Sequence, residues 1–480
     1  MRIVQAASEM FPFVKTGGLA DVMAALSNAL AGRGHEVAAF LPGYRSILDS
    51  AGAAGAARSH RLKIEMGSEF ITGDVYTLSV RPGLTLYLIR REEFYDRKFP
   101  YWTGERDYDD NDARFIFFCK AVVEMLRLTD FKADIVHSHD WQTGLLPLLL
   151  RNAERKQAAT LALKTVFTIH NISYQGIFRK KSFDLTNLPG EIMSIDGIEY
   201  YDQICMLKGG ILFADRVTTV SPQYLREIQT PEFGRGMDGV VRVRADDMVG
   251  ILNGIDTAVW NPASDPNLPA CYSVRDLSGK KTCREQLLGE FGWDPGFAGP
   301  VFGVICRFTQ AKGLDLIMEA AELFARCGSK LIVLGSGSQR YEEGFKLLTA
   351  RYPHTITLSA RHDETMSHLI EAGADFFLMP SLFEPCGLNQ MYSQAYGTVP
   401  LVSRVGGLVD SVVDVDERPE EGTGIMFAPK QKEFNQGVQR AIRLYEDKDL
   451  LAAVRRRGML KDFSWTSVVT AYEQLYHDML

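Results

Sequence analysis

Lys15-Thr16-Gly17-Gly18-Leu19-Ala20-Asp21-Val22 follows the first apolar run of the chain, residues 2–7, and opens an amphipathic stretch over 19–33. A short buried strand, a glycine turn and a helix, in that order, begin a βαβ unit, so this stretch points to a parallel, doubly wound sheet. The glycines leave backbone N–H groups free at a helix N-terminus, where the positive dipole end stabilises an anion, and Lys15 adds a full charge. The same turn also serves as a plain strand-to-helix connection, and it is neither G-x-G-x-x-G nor a Walker loop. A second copy, Arg404-Val405-Gly406-Gly407-Leu408-Val409-Asp410, shifts the balance towards a ligand. Each half of the chain then presents a glycine turn and a cation, a pairing that suits a diphosphate.

The apolar runs repeat this organisation. In the first half, residues 2–7, 36–41, 135–137, 165–170 and 216–220 are expected strands, with helices over 19–33, 113–128 and 143–152. Runs at 62–66, 75–80 and 84–89 alternate and predict an antiparallel or edge insertion. The irregular, proline-containing stretch 260–272 is the candidate linker. Expected strands resume at 301–306, 330–334, 355–358, 376–379 and 399–402, separated by helices over 314–326, 341–350, 365–372 and 388–396. The fold class is therefore α/β. Two doubly wound, Rossmann-like domains, residues 1–245 and 246–459, are expected with a deep cleft between them and ligands at the carboxyl ends of the strands.

Composition agrees with that division. A length of 480 residues exceeds what one hydrophobic core organises, and 46% hydrophobic with 24% charged residues excludes a disordered or fibrous chain. With 53 Lys+Arg against 60 Asp+Glu the net charge is −7, which argues against a nucleic-acid binder. The seven cysteines form no C-x-x-C pair, so neither a disulfide framework nor a zinc site is expected and the location implied is the cytoplasm. The N-terminus turns polar too early for a signal peptide. The longest aliphatic run, 145–150, is far shorter than the roughly 18 residues a membrane helix needs.

Further motifs sit where strands end. In Cys306-Arg307-Phe308-Thr309-Gln310-Ala311-Lys312-Gly313, Arg307 and Lys312 flank a loop and can bind phosphate oxygens as a fork and a point charge. In Ser381-Leu382-Phe383-Glu384-Pro385-Cys386-Gly387-Leu388, Pro385 and Gly387 restrain the backbone around Glu384, which either accepts hydrogen bonds from sugar hydroxyls or caps the next helix. His137-Ser138-His139-Asp140 and Thr168-Ile169-His170-Asn171 follow strands in the first half. The first has metal-ligand residue types but no third ligand at a recognised spacing, so no metal is assigned. Asp140, His170 and Asn171 suit sugar contacts better. Asp107-Tyr108-Asp109-Asp110-Asn111-Asp112 imitates a metal-binding Asp-x-Asp, but its place before a helical stretch favours helix capping. Phe94, Tyr95, Phe99, Tyr101 and Trp102 crowd one loop and offer rings that stack on sugar faces.

Taken together these motifs resemble the bacterial glycogen synthases and, more distantly, the plant starch synthases. The resemblance also rests on Leu207-Lys208-Gly209-Gly210-Ile211, Val220-Ser221-Pro222 and Leu252-Asn253-Gly254-Ile255-Asp256, and it runs through nearly the whole chain in the family's order. It implies the GT-B fold, with the last helix, within 460–480, packing back on the first domain. It implies a retaining, metal-independent transfer of glucose from ADP-glucose to the non-reducing 4-hydroxyl of an α-1,4-glucan such as glycogen or maltodextrin, without a cofactor. The residues it makes catalytic are Glu384, Asp140, His170, Arg307 and Lys312. For ADP-glucose binding it adds Lys15, Gly17, Gly18, Asn171, Asn253, Gly387, Leu388, Gly406 and Gly407, with the amides of Gly18 and Gly407 facing phosphates. Two departures stand out. Related retaining transferases carry a second glutamate where this chain has Tyr392, a lack that glycogen synthases share, and some members read Gly-Tyr where this chain reads Arg361-His362, next to the adenine.

Other readings of the same residues are a sucrose-type or UDP-glucose transferase and a non-catalytic nucleotide or glucan sensor. A dinucleotide dehydrogenase lacks its G-x-G-x-x-G here, and a pyridoxal-phosphate glucan phosphorylase would be a far longer chain. Retention of Lys15, Arg307, Lys312 and Glu384 together speaks against a sensor.

Overall fold

Strands form where buried aliphatic residues run without interruption, and helices where they recur every three or four positions. The computed structural model describes residues 1–157, 163–359 and 363–480. These divide into two compact units. Unit 1 comprises Met1–Val220, Leu225–Ile251 and Val468–Leu480, and unit 2 comprises Ser221–Tyr224 and Leu252–Ser467.

In unit 1 the strands are β1 (Arg2–Ala6), β2 (Glu36–Pro42), β3 (Ala57–Met66), β4 (Glu69–Arg81), β5 (Leu84–Arg90), β6 (Ile135–His139), β7 (Lys164–Ile169), β8 (Ile177–Arg179), β9 (Glu199–Tyr200), β10 (Gln203–Cys205), β11 (Arg216–Thr219) and β12 (Met248–Gly250). Nine of them make one sheet in the order β12-β11-β7-β6-β1-β2-β5-β4-β3. The pairs from β12 to β5 are parallel, and β5-β4 and β4-β3 are antiparallel. The alternating insertion thus extends the parallel sheet as an antiparallel meander. Helix Gly18–Gly32 returns the chain from β1 to β2 and buries Leu19, Val22, Met23, Leu26 and Leu30. Helix Trp465–Met479 places Val469, Tyr472 and Tyr476, spaced three and four apart and fully buried, against unit 1. A small sheet, β8-β10-β9, had no counterpart in the sequence reading, because its strands are two or three residues long.

Unit 2 contains β13 (Val301–Ile305), β14 (Lys330–Leu334), β15 (Ile356–Ser359), β16 (Phe376–Met379), β17 (Val399–Ser403) and β18 (Ile425–Phe427), all parallel in the order β15-β14-β13-β16-β17-β18. Neighbouring residues face opposite cores. Phe302, Leu331, Val333 and Phe376 join one cluster, and Val301, Ile332, Leu334 and Phe377 the other, so the sheet is covered on both faces. The single helix expected over 314–326 is two, Leu314–Glu319 and Ala321–Arg326.

Both sheets reverse direction of winding at one point. In unit 1 that point lies between β1 and β6, and in unit 2 between β13 and β16. Loops leaving the carboxyl ends of those strands diverge there and leave a crevice. Most of the candidate residues follow these four strands and β7, while Asn253 follows β12 and Gly406 and Gly407 follow β17. No helix of the described residues is long and apolar enough to cross a membrane.

Candidate active site

In unit 1 the loop after β1 is organised by a carboxylate that no motif announced. Glu9, 3% exposed, accepts hydrogen bonds from the Thr16 hydroxyl at 2.6 Å, the Gly17 N–H at 3.3 Å and the Thr16 N–H. Tyr101 donates to it at 2.7 Å. This tyrosine belongs to the aromatic loop, whose Phe99 and Trp102 stack on each other at 5.3 Å. The Gly17 amide is therefore already occupied, whereas a side chain added at Gly17 or Gly18 would meet nothing within 4 Å. Lys15 is half exposed and paired with Asp21 at 2.8 Å.

The loops after β6 and β7 bring Asp140, His170 and Asn171 together. Asp140 holds φ 57° and ψ −179°, a conformation that costs a non-glycine residue about 1–3 kcal/mol and collects at functional sites. Its N–H donates to the Thr168 carbonyl at 3.0 Å, and its carbonyl accepts from the Thr143 N–H at 3.1 Å, which keeps the strained backbone in place. The Asp140 carboxylate accepts from the N–H groups of His170 at 2.7 Å and Asn171 at 3.4 Å. Burial raises its pKa to about 7 against those two donors, and the Glu9 charge pushes the same way. Burial lowers His170 to about 3, so its ring is neutral. The Asn171 carboxamide oxygen is taken by the Ser173 N–H at 2.9 Å.

In unit 2 the loops after β13 and β16 join Lys312 to Glu384 at 2.5 Å. Ser381 donates to the same carboxylate oxygen at 2.9 Å. Glu384 is buried, so Pro385 and Gly387 aim it inward rather than leaving it as a helix cap, and helix Asn389–Ala395 begins after Leu388 without a side-chain cap. Arg307 is exposed, and its guanidinium makes no hydrogen bond or ion pair among the described residues. Asn253 is buried, its carboxamide oxygen has no partner among the described residues, and it bonds to Cys386, whose thiol burial pushes up to about 12.

The two glycine turns, alike in sequence, differ in physical purpose. The Gly407 N–H is committed to the carbonyls of Glu384 and Pro385, both at 3.2 Å, so it does not face a phosphate as expected. A Cβ at Gly406 would lie 1.9 Å from the Glu384 carbonyl oxygen, and one at Gly407 2.3 Å from that of Cys386. These glycines let helix Gly406–Ser411 press on the loop that carries Glu384. Ser221, from the Val220-Ser221-Pro222 motif, supports that loop by donating to the Pro385 carbonyl at 2.9 Å. Arg404 pairs with Glu417. Gly407→Ala is accordingly expected to lower the thermal midpoint, with about 3 kcal/mol of overpacking, whereas Gly18→Ala leaves it unchanged. Differential scanning calorimetry of the two variants checks the contrast.

Asp109 and Asp110 do not cap helix Asn111–Leu128 through their side chains as expected, whereas the Asp112 carboxylate satisfies one amide of its first turn. Asp110 binds Arg97, Asp109 binds Arg106, and Asp112 accepts from Ser182 and the Ala113 N–H. No group of three or more metal-ligating side chains occurs among the described residues. Tyr392 stacks on Trp260 with ring centres 3.8 Å apart, so the ring standing where related transferases have a glutamate packs on the linker. Arg361 and His362 lie outside the described residues. Glu9 was missed in the sequence because a single acidic residue near a strand end carries no pattern.

Comparison with known proteins identifies the family. Residues 2–243 match the starch synthase catalytic domain family and residues 298–458 the glycosyl transferases group 1 family. The chain is 60% identical to the glycogen synthase of Opitutus terrae, with both chains covered completely, and 43% identical to that of Myxococcus xanthus, again over the full length of both. Among solved structures, the catalytic domain of starch synthase IV from Arabidopsis thaliana bound to ADP and acarbose is 32% identical with a TM-score of 0.90, covering 99% of this chain and 98% of that one. A sucrose-phosphate synthase from Thermosynechococcus elongatus, 17% identical over the same shares, has a TM-score of 0.61 and shares the fold. Full-length identity of this order, the paired family matches and the two Rossmann-like units with GT-B neighbours lead to one conclusion: the chain belongs to the glycogen and starch synthase family of glycosyltransferases.

Proposed function

We propose that the chain transfers glucose from ADP-glucose to the non-reducing 4-hydroxyl of an α-1,4-glucan, with retention at the anomeric carbon and release of ADP. The observation that carries this reading is the arrangement at the unit 2 switch point, where an unpaired Arg307 stands in the same loop as Lys312, itself bonded to the buried Glu384. Two cations suit a diphosphate and the adjoining carboxylate suits the hydroxyls of the attached sugar. The starch synthase relative, whose structure holds ADP and acarbose, supports ADP as the nucleotide released.

On the unit 1 side, Lys15 and the open backbone at Gly17 and Gly18 contact the donor, while Asp140, His170 and Asn171 stand by the reacting carbon. Asn253, Gly387 and Leu388 border the donor's sugar and phosphates, and Gly406 and Gly407 hold the Glu384 loop in register. Retention requires either a carboxylate nucleophile or attack by the acceptor from the leaving-group face. A carboxyl group that is half protonated near pH 7 and already accepts two amide hydrogen bonds is a poor nucleophile. Same-face attack fits better. Arg307, Lys312 and Lys15 stabilise the departing ADP, whose phosphate takes the proton from the acceptor hydroxyl. The seven cysteines, none paired in a disulfide among the described residues, support a cytoplasmic location.

The test is glucosyl transfer to glycogen from ADP-glucose and UDP-glucose in parallel, in EDTA, for wild type and Lys15→Ala. Wild type is expected to prefer ADP-glucose. The variant is expected to lose about 10-fold or more in kcat/KM for ADP-glucose, the size of one charge-assisted phosphate contact. Preference for UDP-glucose overturns the donor assignment, and nucleotide binding with no transfer from either donor supports the sensor.

A further inference from the structure

Beneath the unit 1 site lies a file of buried hydrogen bonds that the proposed reaction does not use. It starts on the last helix. Tyr476, fully buried, accepts from the Gln5 carboxamide nitrogen at 3.4 Å and lies 2.8 Å from Nδ1 of His137. The other end of the Gln5 carboxamide, Oε1, is 2.7 Å from Nε2 of His139. Nδ1 of His139 is 3.0 Å from Nε2 of His170.

Each link holds one proton, so the direction taken at the Gln5 carboxamide fixes those at His139 and His170. The Gln5 oxygen only accepts, so His139 donates through Nε2. A neutral imidazole then has a bare Nδ1, which only accepts, so His170 must donate through its own Nε2. Nδ1 of His170 is left without a proton, as an acceptor for a hydroxyl. At the other end the Tyr476 hydroxyl, having accepted from Gln5, donates to Nδ1 of His137, and Nε2 of His137 donates to the Thr168 hydroxyl at 2.5 Å. Reversing Gln5 would reverse every step and put the proton on the wrong nitrogen of His170. Burial keeps all three rings uncharged: His137 and His170 are lowered to about 3 and His139 falls well below the ordinary histidine range. No second proton is therefore available to blur the choice.

We infer that Tyr476, acting through Gln5 and His139, sets which ring nitrogen of His170 carries the proton, so that the C-terminal helix holds a substrate-facing histidine in one tautomer. The three are positioning residues: none of them needs to touch substrate. The inference rests on the reading of His170 as a group by the reacting carbon. A histidine's function depends on which nitrogen is protonated, and that is decided by the hydrogen bond made on its far side.

The test uses the full chain labelled with ¹⁵N-histidine, as wild type and Tyr476→Phe, which keeps the ring and deletes the hydroxyl. In wild type, long-range ¹H–¹⁵N spectra at neutral pH are expected to show His170 protonated at Nε2 and bare at Nδ1. In the variant the two nitrogens are expected to move towards a tautomer average. With that change kcat should fall about 10-fold or more while the KM for ADP-glucose stays within about twofold, as for loss of an outer-shell orienting group. A merely structural role would lower the thermal midpoint and leave the nitrogen shifts alone. Unchanged His170 shifts in Tyr476→Phe overturn the inference. Altered shifts with unchanged kcat uphold the relay and overturn instead the placing of His170 by the reacting carbon.

Discussion

Glu384→Gln is expected to reduce kcat by about 10³-fold, the upper end of what losing one aligned electrostatic contact costs, while the protein stays folded. Glutamine keeps the shape of the side chain and can still accept from Ser381, which holds the carboxylate at 2.9 Å. The charge is what disappears. Lys312, 2.5 Å away, loses its counter-ion, and on the proposed function a sugar hydroxyl loses a charged acceptor in a site where Glu384 is only 7% exposed. The sugar gains positive charge as ADP departs, so the interaction strengthens towards the transition state and its loss falls on kcat more than on KM. Initial-rate kinetics with ADP-glucose and glycogen, alongside circular dichroism, measure this. A variant that keeps more than a tenth of wild-type kcat would remove Glu384 from the catalytic set.

Asp140→Asn is the second large effect, expected at about 10²-fold in kcat. Asparagine can go on accepting from the His170 and Asn171 amides, so geometry is preserved and charge is removed. The ordinary carboxyl value of 3.8 is raised to about 7 in the folded chain, chiefly by burial. If the ionised form steadies the positive sugar, wild-type kcat/KM rises with pH through about 7, and the variant lacks that rise. Stability moves the other way. Between about 4 and 7 the folded chain holds a proton at Asp140 that the unfolded chain has released, so raising pH through this window costs wild type stability. Neutral asparagine carries no such cost. The thermal midpoint of the variant relative to wild type is expected to climb from pH 4 to pH 7 and level off above. Taking the difference between the two proteins removes the opposite contribution of the buried histidines, which are lowered to about 3 and favour folding as pH rises from there to their ordinary 6.5. Near-normal turnover in Asp140→Asn would exclude Asp140 as a nucleophile.

Much of this was legible in the linear chain because it depends on near neighbours. The strands of unit 2 appear as uninterrupted aliphatic and aromatic runs, since a parallel strand covered on both faces has no polar side to display. The insertion alternates, and alternation is what an antiparallel strand with one covered face requires. Arg307, Lys312, Glu384, Asp140 and His170 stand directly after strands, where a doubly wound sheet gathers its ligand groups, so their candidacy followed from the fold rule.

What stayed hidden depends on partners far apart in the chain. Glu9 is one acidic residue until Tyr101, 92 positions on, is brought to it. Tyr476 reads as an ordinary helix-face aromatic, and only packing of the last helix places its hydroxyl against Gln5, 471 positions away. The matching glycine turns show the division most clearly. Local sequence determined that each would be a strand-to-helix turn without side chains, because glycine and its neighbours decide backbone conformation over a few residues. Whether that missing side chain leaves room for a ligand, as at Gly17 and Gly18, or for the chain's own backbone, as at Gly406 and Gly407, was decided only by tertiary packing. Steric room belongs to whatever the folded chain brings alongside, and no stretch of eight residues contains that information.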